Sequence, residues 1–351
     1  MPESGPVRTR IAPTPSGYLH LGNAWNFLLT WLLARSQGGT IHLRIDDMDV
    51  ARFRQEYLED IFASLAWLGL DWDTGPANSA DFHANYSQRL RRESYRSALV
   101  KLMELNSEFG PSVYACRCSR EQVKQASHAA GQPGIYPGTC RNLGLPRNRA
   151  EIWQSGKGLE HSDNTTVLRL KVVADATVEW VDEAMGPVLL HPGQDMGDFI
   201  VWQRNGEPAY QLTSMVDDEA LGINWIVRGR DLLPSTGAQI YLARCMGNGP
   251  FPWAHFVHHG LIRGPDGKKL SKSTGTPLKS EAVLLHKLRV LPGGRAALYR
   301  FFAQALKLNG DCQTPADILA QFHPGRFLEA DLDCERFLKK LREEQAEADP
   351  A

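Results

Sequence analysis

The sequence predicts an α/β fold built on a parallel β-sheet with helices packed on its faces. The first observation is a strand–helix–strand pattern. Val7–Ala12 has the apolar run of a buried strand, Gly22–Gln37 has helical apolar spacing, and Thr40–Ile45 has the pattern of a second strand. Two successive strands joined by a helix are typical of a parallel crossover. The second observation is length, because 351 residues suffice for two or three units that share one large core.

The remaining elements follow from the same periodicities. The segment Tyr114–Arg149, rich in Cys, Gly, Pro and Arg, interrupts the pattern and indicates an insertion. Asn205-Gly206 predicts a hairpin turn between Phe199–Arg204 and Ala209–Leu212. The other predicted helices are Gln55–Leu68, Tyr86–Glu108 and most of Ser280–Leu341, and the other predicted strands are Val167–Val173, Thr177–Val181, Phe199–Gln203 and Trp225–Arg228.

Composition places the chain among ordinary globular proteins and gives no direct sign of a partner. Hydrophobic residues make up 42%, charged residues 23%, and the net charge is −1. Arg89–Arg149 is locally basic, which fits a solvated face and a nucleic-acid-binding face equally well. Met1–Arg10 is polar, and the apolar stretch Ala24–Ala34 is too short to span a bilayer. We therefore expect a cytoplasmic protein that does not enter a membrane.

The motif His20-Leu21-Gly22-Asn23 lies where the first loop becomes a helix, a position suited to phosphate chemistry. Backbone N–H groups and the positive end of the helix face such a loop. Gly22 lacks a side chain, so a nucleotide can approach the backbone, and His20 and Asn23 can donate hydrogen bonds to triphosphate oxygens. An isolated His-x-Gly is more often an ordinary loop histidine beside a turn.

A second motif, Lys268-Lys269-Leu270-Ser271-Lys272-Ser273, follows the turn Gly264–Gly267. Flexible lysines beside small residues suit a mobile loop that neutralises charge on a transferring phosphate. Alone, a lysine-rich turn is more often a solvated surface loop.

Together, in this order, the two motifs resemble the ATP-binding signatures of class I aminoacyl-tRNA synthetases. Asn23 in place of a second histidine is typical of the glutamyl-type subgroup, and the resemblance covers residues 8 to about 275. It implies a Rossmann-type catalytic domain that uses ATP with Mg²⁺. It implies His20 and Lys272 as catalytic residues, and an ATP site formed by His20, Gly22, Asn23, Lys269, Ser271 and Lys272.

The resemblance extends to the amino-acid site. Asp198–Asp231 is similar to the second half of the glutamyl/glutaminyl catalytic fold. A glutamate side chain requires a cation, and the substrate ammonium requires a carboxylate, which Asp46 supplies. The family generally has Glu at this position, so Asp46 is shorter by one methylene. The implied glutamate-binding residues are Arg10, Ala12, Thr14, Asp46, Tyr210 and Arg228.

A metal site is predicted in the insertion. Cys116-x-Cys118 and Tyr136-x-x-x-Cys140 place three thiols in a segment too poor in apolar residues to form its own core. The residues alone leave the fourth ligand open, with His128 as one candidate, and free cysteines in a loop are the alternative. The family pattern implies one structural Zn²⁺ per chain, bound by Cys116, Cys118, Tyr136 and Cys140, in a unit that positions the acceptor end of a tRNA.

The resemblance also implies a division of the chain. The predicted parts are 7–110 and 196–275 as two halves of the catalytic domain, 111–195 as the zinc-containing insertion, and 276–351 as a short helical tail. Only 76 residues follow Gly275, too few for a full anticodon-binding domain.

A tail of this length resembles the short paralogue family, the glutamyl-Q tRNA(Asp) synthetases. That family implies activation of L-glutamate to glutamyl-adenylate, transfer to the queuosine base of tRNA(Asp), and a monomer. Three alternatives remain: a truncated glutamyl-tRNA synthetase that charges a tRNA 3′ end, a non-catalytic relative that binds tRNA or glutamate, and a small-molecule ligase, against which Asp198–Asp231 argues.

Overall fold

The parallel strand pair predicted near the N-terminus is present. Strand β1 (Arg8–Ile11) pairs in parallel with β2 (Thr40–Leu43), and helix α1 (Leu21–Ser36) connects them. The computed structural model describes residues 5–104, 106–107, 110–111, 113–145, 166–247, 249–264, 284–325 and 331–348.

The other elements are numbered in chain order. The remaining strands are β3 (Asn106–Ser107), β4 (Gly110–Pro111), β5 (Val113–Cys116), β6 (Val167–Leu170), β7 (Val178–Asp182), β8 (Gly186–Leu190), β9 (Ile200–Trp202), β10 (Trp225–Gly229), β11 (His255–His259), β12 (Ile262–Arg263) and β13 (Leu332–Asp333). The remaining α-helices are α2 (Gln55–Leu68), α3 (Ser79–Asp81), α4 (Arg92–Glu104), α5 (Arg120–Ala129), α6 (Pro192–Asp195), α7 (Tyr210–Ala220), α8 (Leu233–Cys245), α9 (Leu285–Leu288), α10 (Gly294–Ala305), α11 (Pro315–Leu319) and α12 (Cys334–Ala348).

The central layer places β10 and β11 beside the first strand pair. Asn224 joins β10 to β1, because its backbone N–H donates to the Arg8 carbonyl (3.0 Å) and its side-chain oxygen accepts from the Arg8 N–H (2.7 Å). Strand β10 is parallel to β11, and β11 is parallel to β7, while β8 runs antiparallel to β7. The α/β class and the parallel core are therefore confirmed, and the antiparallel β8 makes the layer mixed.

A second sheet carries the first cysteines of the insertion. Strands β5, β6 and β9 pair antiparallel, and Cys116 ends β5. The pairing crosses the boundary predicted at residue 195. The β7–β8 hairpin joins the central layer, whereas β9 joins the insertion sheet. The division into 7–110, 111–195, 196–275 and 276–351 remains a prediction.

Two predicted elements are wrong in part. The turn at Asn205-Gly206 forms, but Ala209–Leu212 is not its second strand: after a single antiparallel bridge between Trp202 and Pro208 the chain enters α7 at Tyr210. Helical spacing wins because Leu212 and Met215 are buried on the same face of α7. The helix predicted to reach Glu108 ends at Glu104, and Asn106–Ser107 forms β3 instead.

The tail helices share one core with the N-terminal unit. The Trp25 ring of α1 and the Phe302 ring of α10 lie 5.0 Å apart between centroids. The Tyr299 hydroxyl donates to the carbonyl of Leu68 at the end of α2. Strand β13 extends β12 in parallel. Helix α1 is apolar almost all round because it is covered by the sheet on one side and by these helices on the other.

A search of the described helices for a membrane span finds none that is both long and apolar enough to cross a bilayer.

We predict that Phe302→Ala lowers the free energy of unfolding by about 3–5 kcal/mol, because it removes a fully buried ring that packs on Trp25. Chemical denaturation followed by circular dichroism measures the change. Val290→Ala, at a side chain that is 77% exposed, is the control and should change the stability by less than about 0.5 kcal/mol. Equal effects of the two substitutions would contradict a shared core.

Candidate active site

Two adjoining cavities lie at the carboxyl ends of the parallel strands. Strand β1 lies between β2 and β10, so the connections to its two neighbours run to opposite sides of β1. In open α/β sheets, ligands bind in the crevice at such a point. The first cavity has a volume of about 400 Å³ and the second about 270 Å³. Residues common to both walls are Ala12, Thr14, Asn26, Arg228 and Leu232.

The first cavity contains the predicted loop-to-helix motif. His20, Gly22 and Asn23 line it, together with Gly229, Asp231, Leu232, His259, Leu261 and Ile262. The other predicted ATP-binding residues, Lys269, Ser271 and Lys272, lie outside the described residues. The chain on either side of that gap is near the cavity: Ile262 lines it, and Leu284 forms a bridge with His20.

His20 and Asn23 cap the start of α1 reciprocally. The Gly22 N–H donates to His20 Nδ1 (3.0 Å), and the His20 N–H donates to Asn23 Oδ1 (3.1 Å). Because Nδ1 accepts a hydrogen bond, the proton of the neutral imidazole lies on Nε2. Asn23 uses its side-chain oxygen inside the protein, so its amide nitrogen is the atom it can offer to a phosphate.

The absence of a side chain at Gly22 leaves room for the His20 ring as well as for a ligand. A Cβ atom at this position would lie 3.0 Å from His20 Cε1 and 3.1 Å from His20 Nδ1. A side chain here would therefore require the imidazole to move by a few tenths of an ångström.

The second cavity brings together all six residues predicted to bind glutamate. Its wall contains Arg10, Ala12, Thr14, Asp46, Tyr210 and Arg228, together with Asn26, Arg44, Val227 and Leu232. Tyr210 begins α7 and is 41% exposed at the rim. The other five predicted residues come from β1, β10 and the loops that follow β1 and β2.

A buried carboxylate that was not predicted holds the arginines of this cavity. Asp218 is fully buried, and it accepts from Arg10 Nε (3.0 Å) and Arg44 Nη1 (2.6 Å). Arg228 Nη2 lies 3.9 Å from Asp218 Oδ2. Burial alone would raise the pKa of Asp218, but the three guanidinium groups outweigh it and hold this pKa below its ordinary value.

Arg228 lies in the walls of both cavities, with its guanidinium group buried. Its Nη1 donates to Thr236 Oγ1 (3.1 Å) and Gln239 Oε1 (2.8 Å). Its Nε and Nη2 atoms are buried and have no hydrogen-bond partner among the described residues. A buried cation with two unsatisfied donors side by side matches the geometry of a carboxylate.

The formal charge of this group is positive. Among the described residues, Arg10, Arg44 and Arg228 form ion pairs with two carboxylates, Asp218 and Asp46, while the nearby Asp217 is paired with Arg91. Burial would lower the pKa of Arg44, but Asp46 and Asp218 outweigh it and raise this pKa above its ordinary value. Burial lowers the pKa of Arg228, which nevertheless stays protonated because arginine titrates so far above neutrality. An anionic ligand would neutralise the excess charge.

Asp46 lies in the cavity wall in a fixed ion pair. Arg44 binds both of its carboxylate oxygens, with Nε 2.7 Å from Oδ1 and Nη2 3.2 Å from Oδ2. Gln88 Nε2 donates to Oδ1 at 3.2 Å. A ligand ammonium at this position would share the carboxylate with Arg44.

The predicted metal ligands also come together. The sulfur atoms of Cys116, Cys118 and Cys140 lie within 4.8 Å of one another and could hold a metal ion. The Tyr136 hydroxyl is 3.3 Å from Cys116 Sγ, and it accepts the Cys140 N–H at 2.8 Å. The guanidinium of Arg169 stacks over the Tyr136 ring, 3.7 Å from its centroid.

Comparison with known proteins places the chain in one family. Residues 6–288 match the family model described as tRNA synthetases class I (E and Q), catalytic domain.

The chain belongs to this class I synthetase family.

Curated relatives are of two lengths. A glutamyl-Q tRNA(Asp) synthetase of Symbiobacterium thermophilum is 42% identical over 270 residues, which cover 76% of this chain and 78% of the relative. A glutamate–tRNA ligase of the same organism is 36% identical over 272 residues, and this chain spans 53% of its length. A crystal structure of glutamate-tRNA synthetase from Elizabethkingia anophelis has a TM-score of 0.71 at 23% identity, covers 98% of this chain and 71% of that chain, and shows the shared fold.

The predicted resemblance is therefore confirmed, and the protein is a ligase of the class I aminoacyl-tRNA synthetases. Several buried polar side chains of this synthetase were not predicted: Asp218, Thr236, Gln239 and His258. One sequence signal was available for Asp218, because it lies on α7 among the buried residues Leu212 and Met215. A charged residue on a buried helix face requires a partner of opposite charge.

We predict that Gly22→Ala in this synthetase raises the KM for ATP by about tenfold, because displacement of His20 by a few tenths of an ångström disturbs the capped helix end. ATP–pyrophosphate exchange measures it. Gly325→Ala, where an added Cβ meets no atom within 4 Å, is the matched control. An unchanged KM for ATP in Gly22→Ala would show that His20 tolerates the methyl group.

Proposed function

We propose that this synthetase activates L-glutamate with ATP and transfers the glutamyl group to the queuosine base of tRNA(Asp). The observation that carries the amino-acid assignment is the pair of unsatisfied donors, Nε and Nη2 of Arg228, in the wall of a cavity with excess positive charge. A side-chain carboxylate satisfies both donors and neutralises that charge. Glutamine would offer one acceptor and place its NH₂ group against a donor, so the cavity selects against it.

The remaining walls fit the backbone groups of the amino acid. Asp46 offers a fixed carboxylate to the ammonium, and Tyr210 closes the rim. Ala12 and Thr14 line both cavities, so the α-carboxylate would lie at the junction with the ATP cavity. Proximity of the two reactants supplies much of the rate enhancement in such reactions.

The proposed chemistry has two steps. An α-carboxylate oxygen attacks the α-phosphorus of ATP, the bond to the bridging oxygen of the β-phosphate breaks, and pyrophosphate leaves. A hydroxyl oxygen of the queuosine cyclopentene ring then attacks the glutamyl carbonyl, AMP leaves, and the hydroxyl proton is released. His20 Nε2–H and Asn23 would donate to phosphate oxygens, and Lys272, outside the described residues, would neutralise charge. Mg²⁺ bound with ATP would supply further neutralisation.

The acceptor assignment is supported by the relatives. The 42% identical glutamyl-Q tRNA(Asp) synthetase is matched over 78% of its length, whereas the glutamate–tRNA ligase is matched over 53%. A third cavity, of about 630 Å³, adjoins the amino-acid cavity at Tyr210 and contains Arg169, Arg204 and Gln211. We propose that the acceptor nucleotide enters there, that the enzyme is a monomer, and that it acts in the cytoplasm.

We further propose that the thiol cluster binds one structural Zn²⁺. Zinc–sulfur bonds of about 2.3 Å place tetrahedral ligand atoms roughly 3.8 Å apart. The Cys118 and Cys140 sulfurs are 3.5 Å apart, and the Tyr136 oxygen is 3.3 Å from Cys116 Sγ and 4.0 Å from Cys118 Sγ. Three thiolates and a phenol oxygen in this arrangement fit the ion, which would stabilise the segment between β5 and β6.

We predict that labelled glutamate and ATP label tRNA(Asp) only when it carries queuosine, because the cyclopentene hydroxyl is the proposed nucleophile. Ribonuclease cleavage should place the label in the anticodon loop. Arg228→Gln should abolish adenylate formation, because the neutral glutamine amide cannot form the charged, bidentate pair with the substrate carboxylate.

Two results would overturn the proposal in different ways. Label at the 3′ end of tRNA(Glu) would favour a truncated glutamyl-tRNA synthetase, which the 36% identity to a glutamate–tRNA ligase also allows. Absence of glutamate-dependent pyrophosphate exchange, with and without tRNA, would favour a non-catalytic relative.

We predict one zinc per chain in the purified protein and none in Cys140→Ser, because the hydroxyl is a poor substitute for a thiolate in this set. Elemental analysis after dialysis measures the content. Cys245→Ser, at a cysteine outside the cluster, is the control and should retain zinc. Zinc in Cys140→Ser equal to that in the unmodified protein would contradict the assignment.

A further inference from the structure

Behind Arg228 lies a chain of buried hydrogen bonds that does not touch either cavity. Thr236 Oγ1, which accepts from Arg228 Nη1, is 2.9 Å from His258 Nε2. His258 Nδ1 is 2.5 Å from Asp182 Oδ2, and the His258 backbone N–H donates to Asp182 Oδ1 at 3.1 Å. Thr236 and His258 are fully buried, and Asp182 is 1% exposed. Three elements, β7, β11 and α8, therefore converge on one arginine.

The chain has a single direction. Burial lowers the pKa of His258, although Asp182 opposes the shift, and this favours the neutral imidazole. Its one proton then lies on Nδ1, facing the Asp182 carboxylate, which leaves Nε2 as an acceptor. The Thr236 hydroxyl is closer to this Nε2 (2.9 Å) than to its other acceptor, the Leu232 carbonyl (3.3 Å). The Thr236 oxygen then has its lone pairs available to accept from Arg228.

Without this anchor Arg228 has another partner. Asp218 Oδ2 is buried, has no hydrogen bond among the described residues, and lies 3.9 Å from Arg228 Nη2. A small rotation of the guanidinium toward Asp218 would complete an ion pair, and it would commit Nη2 to Asp218 in place of a substrate carboxylate. Bonds from Nη1 to Thr236 and Gln239, on the far side, oppose that rotation.

We propose that Asp182 and His258 are positioning residues which act through Thr236 to hold the Nε–Nη2 edge of Arg228 toward the substrate carboxylate. This inference rests on the proposed glutamate activation, and it names these residues as determinants of the specificity for glutamate. None of the three residues lines the amino-acid cavity, so their effect on the substrate is exerted through Arg228 alone.

The decisive variant is Thr236→Val, which keeps the shape of the side chain and removes the hydroxyl. We expect it to raise the KM for glutamate by about 10- to 100-fold, since one bond to a charged group is lost. The KM for ATP should change by less than about twofold, and the preference for glutamate over glutamine should fall. Thr236→Ser, which retains the hydroxyl, should restore the KM for glutamate. Pyrophosphate exchange with and without tRNA measures these values.

Two further variants separate positioning from stability. Asp182 also accepts the backbone N–H groups of Ala184 and Met185, so Asp182→Asn should lower the melting temperature as well as raise the KM for glutamate. Tyr299→Phe removes a buried hydroxyl that binds a carbonyl far from the cavities, and it should lower the melting temperature alone.

The outcomes distinguish this inference from the proposed function. Suppose that the wild type shows exchange with glutamate, while Thr236→Val, like Tyr299→Phe, loses stability at an unchanged KM for glutamate. This result would overturn the positioning role and leave the proposed glutamate activation in place. Absence of glutamate-dependent exchange in the wild type, with and without tRNA, would overturn both.

Discussion

One buried carboxylate organises this active site. Asp218, on α7, binds Arg10 of β1 and Arg44 at the end of β2, and it lies near Arg228 of β10. Three chain segments that are far apart in sequence are thereby tied to one point. A buried cation without a counter-charge costs several kcal/mol, so the positions of these arginines depend on Asp218. The single carboxylate also cannot neutralise them all, even with Asp46, and the remaining positive charge defines what the cavity can bind.

The same constraint explains why the two cavities adjoin. Arg228 is held at the junction, where it contributes to both walls, and α1 begins on the opposite side with its N-terminus capped by His20 and Asn23. The capping bonds occupy His20 Nδ1 and Asn23 Oδ1, the acceptor atoms of these two side chains, and leave their donor groups for the larger cavity. Two cavities that can each bind an anion therefore share a wall. That arrangement suits a reaction in which a carboxylate must reach a phosphorus atom, because their mutual repulsion is offset on both sides.

The sequence predicted local features well and long-range partners poorly. The β1–α1–β2 unit was correct because apolar periodicity in each segment agrees with its final environment. The residues predicted to bind glutamate line one cavity, and those on or after β1, β2 and β10 do so because the carboxyl ends of parallel strands meet at one edge. Ala209–Leu212 was predicted wrongly because alternation and helical spacing are indistinguishable over four residues. His258 and Thr236 could not be predicted, since a buried polar residue is explained only by a partner that the fold brings to it.

Asp46 shows how the polar network can compensate for a shorter side chain. Loss of one methylene reduces reach, but Arg44 grips both carboxylate oxygens, and Gln88 adds a third bond. Gln88 also donates a hydrogen bond to Asp217. The Asp46 carboxylate therefore belongs to a hydrogen-bond network that leaves it little rotational freedom. A fixed carboxylate binds an ammonium without the entropic cost of ordering a flexible side chain. Arg44 binds both Asp46 and Asp218. The bond to Asp218 therefore fixes the position of Arg44, and through Arg44 it also fixes the Asp46 carboxylate.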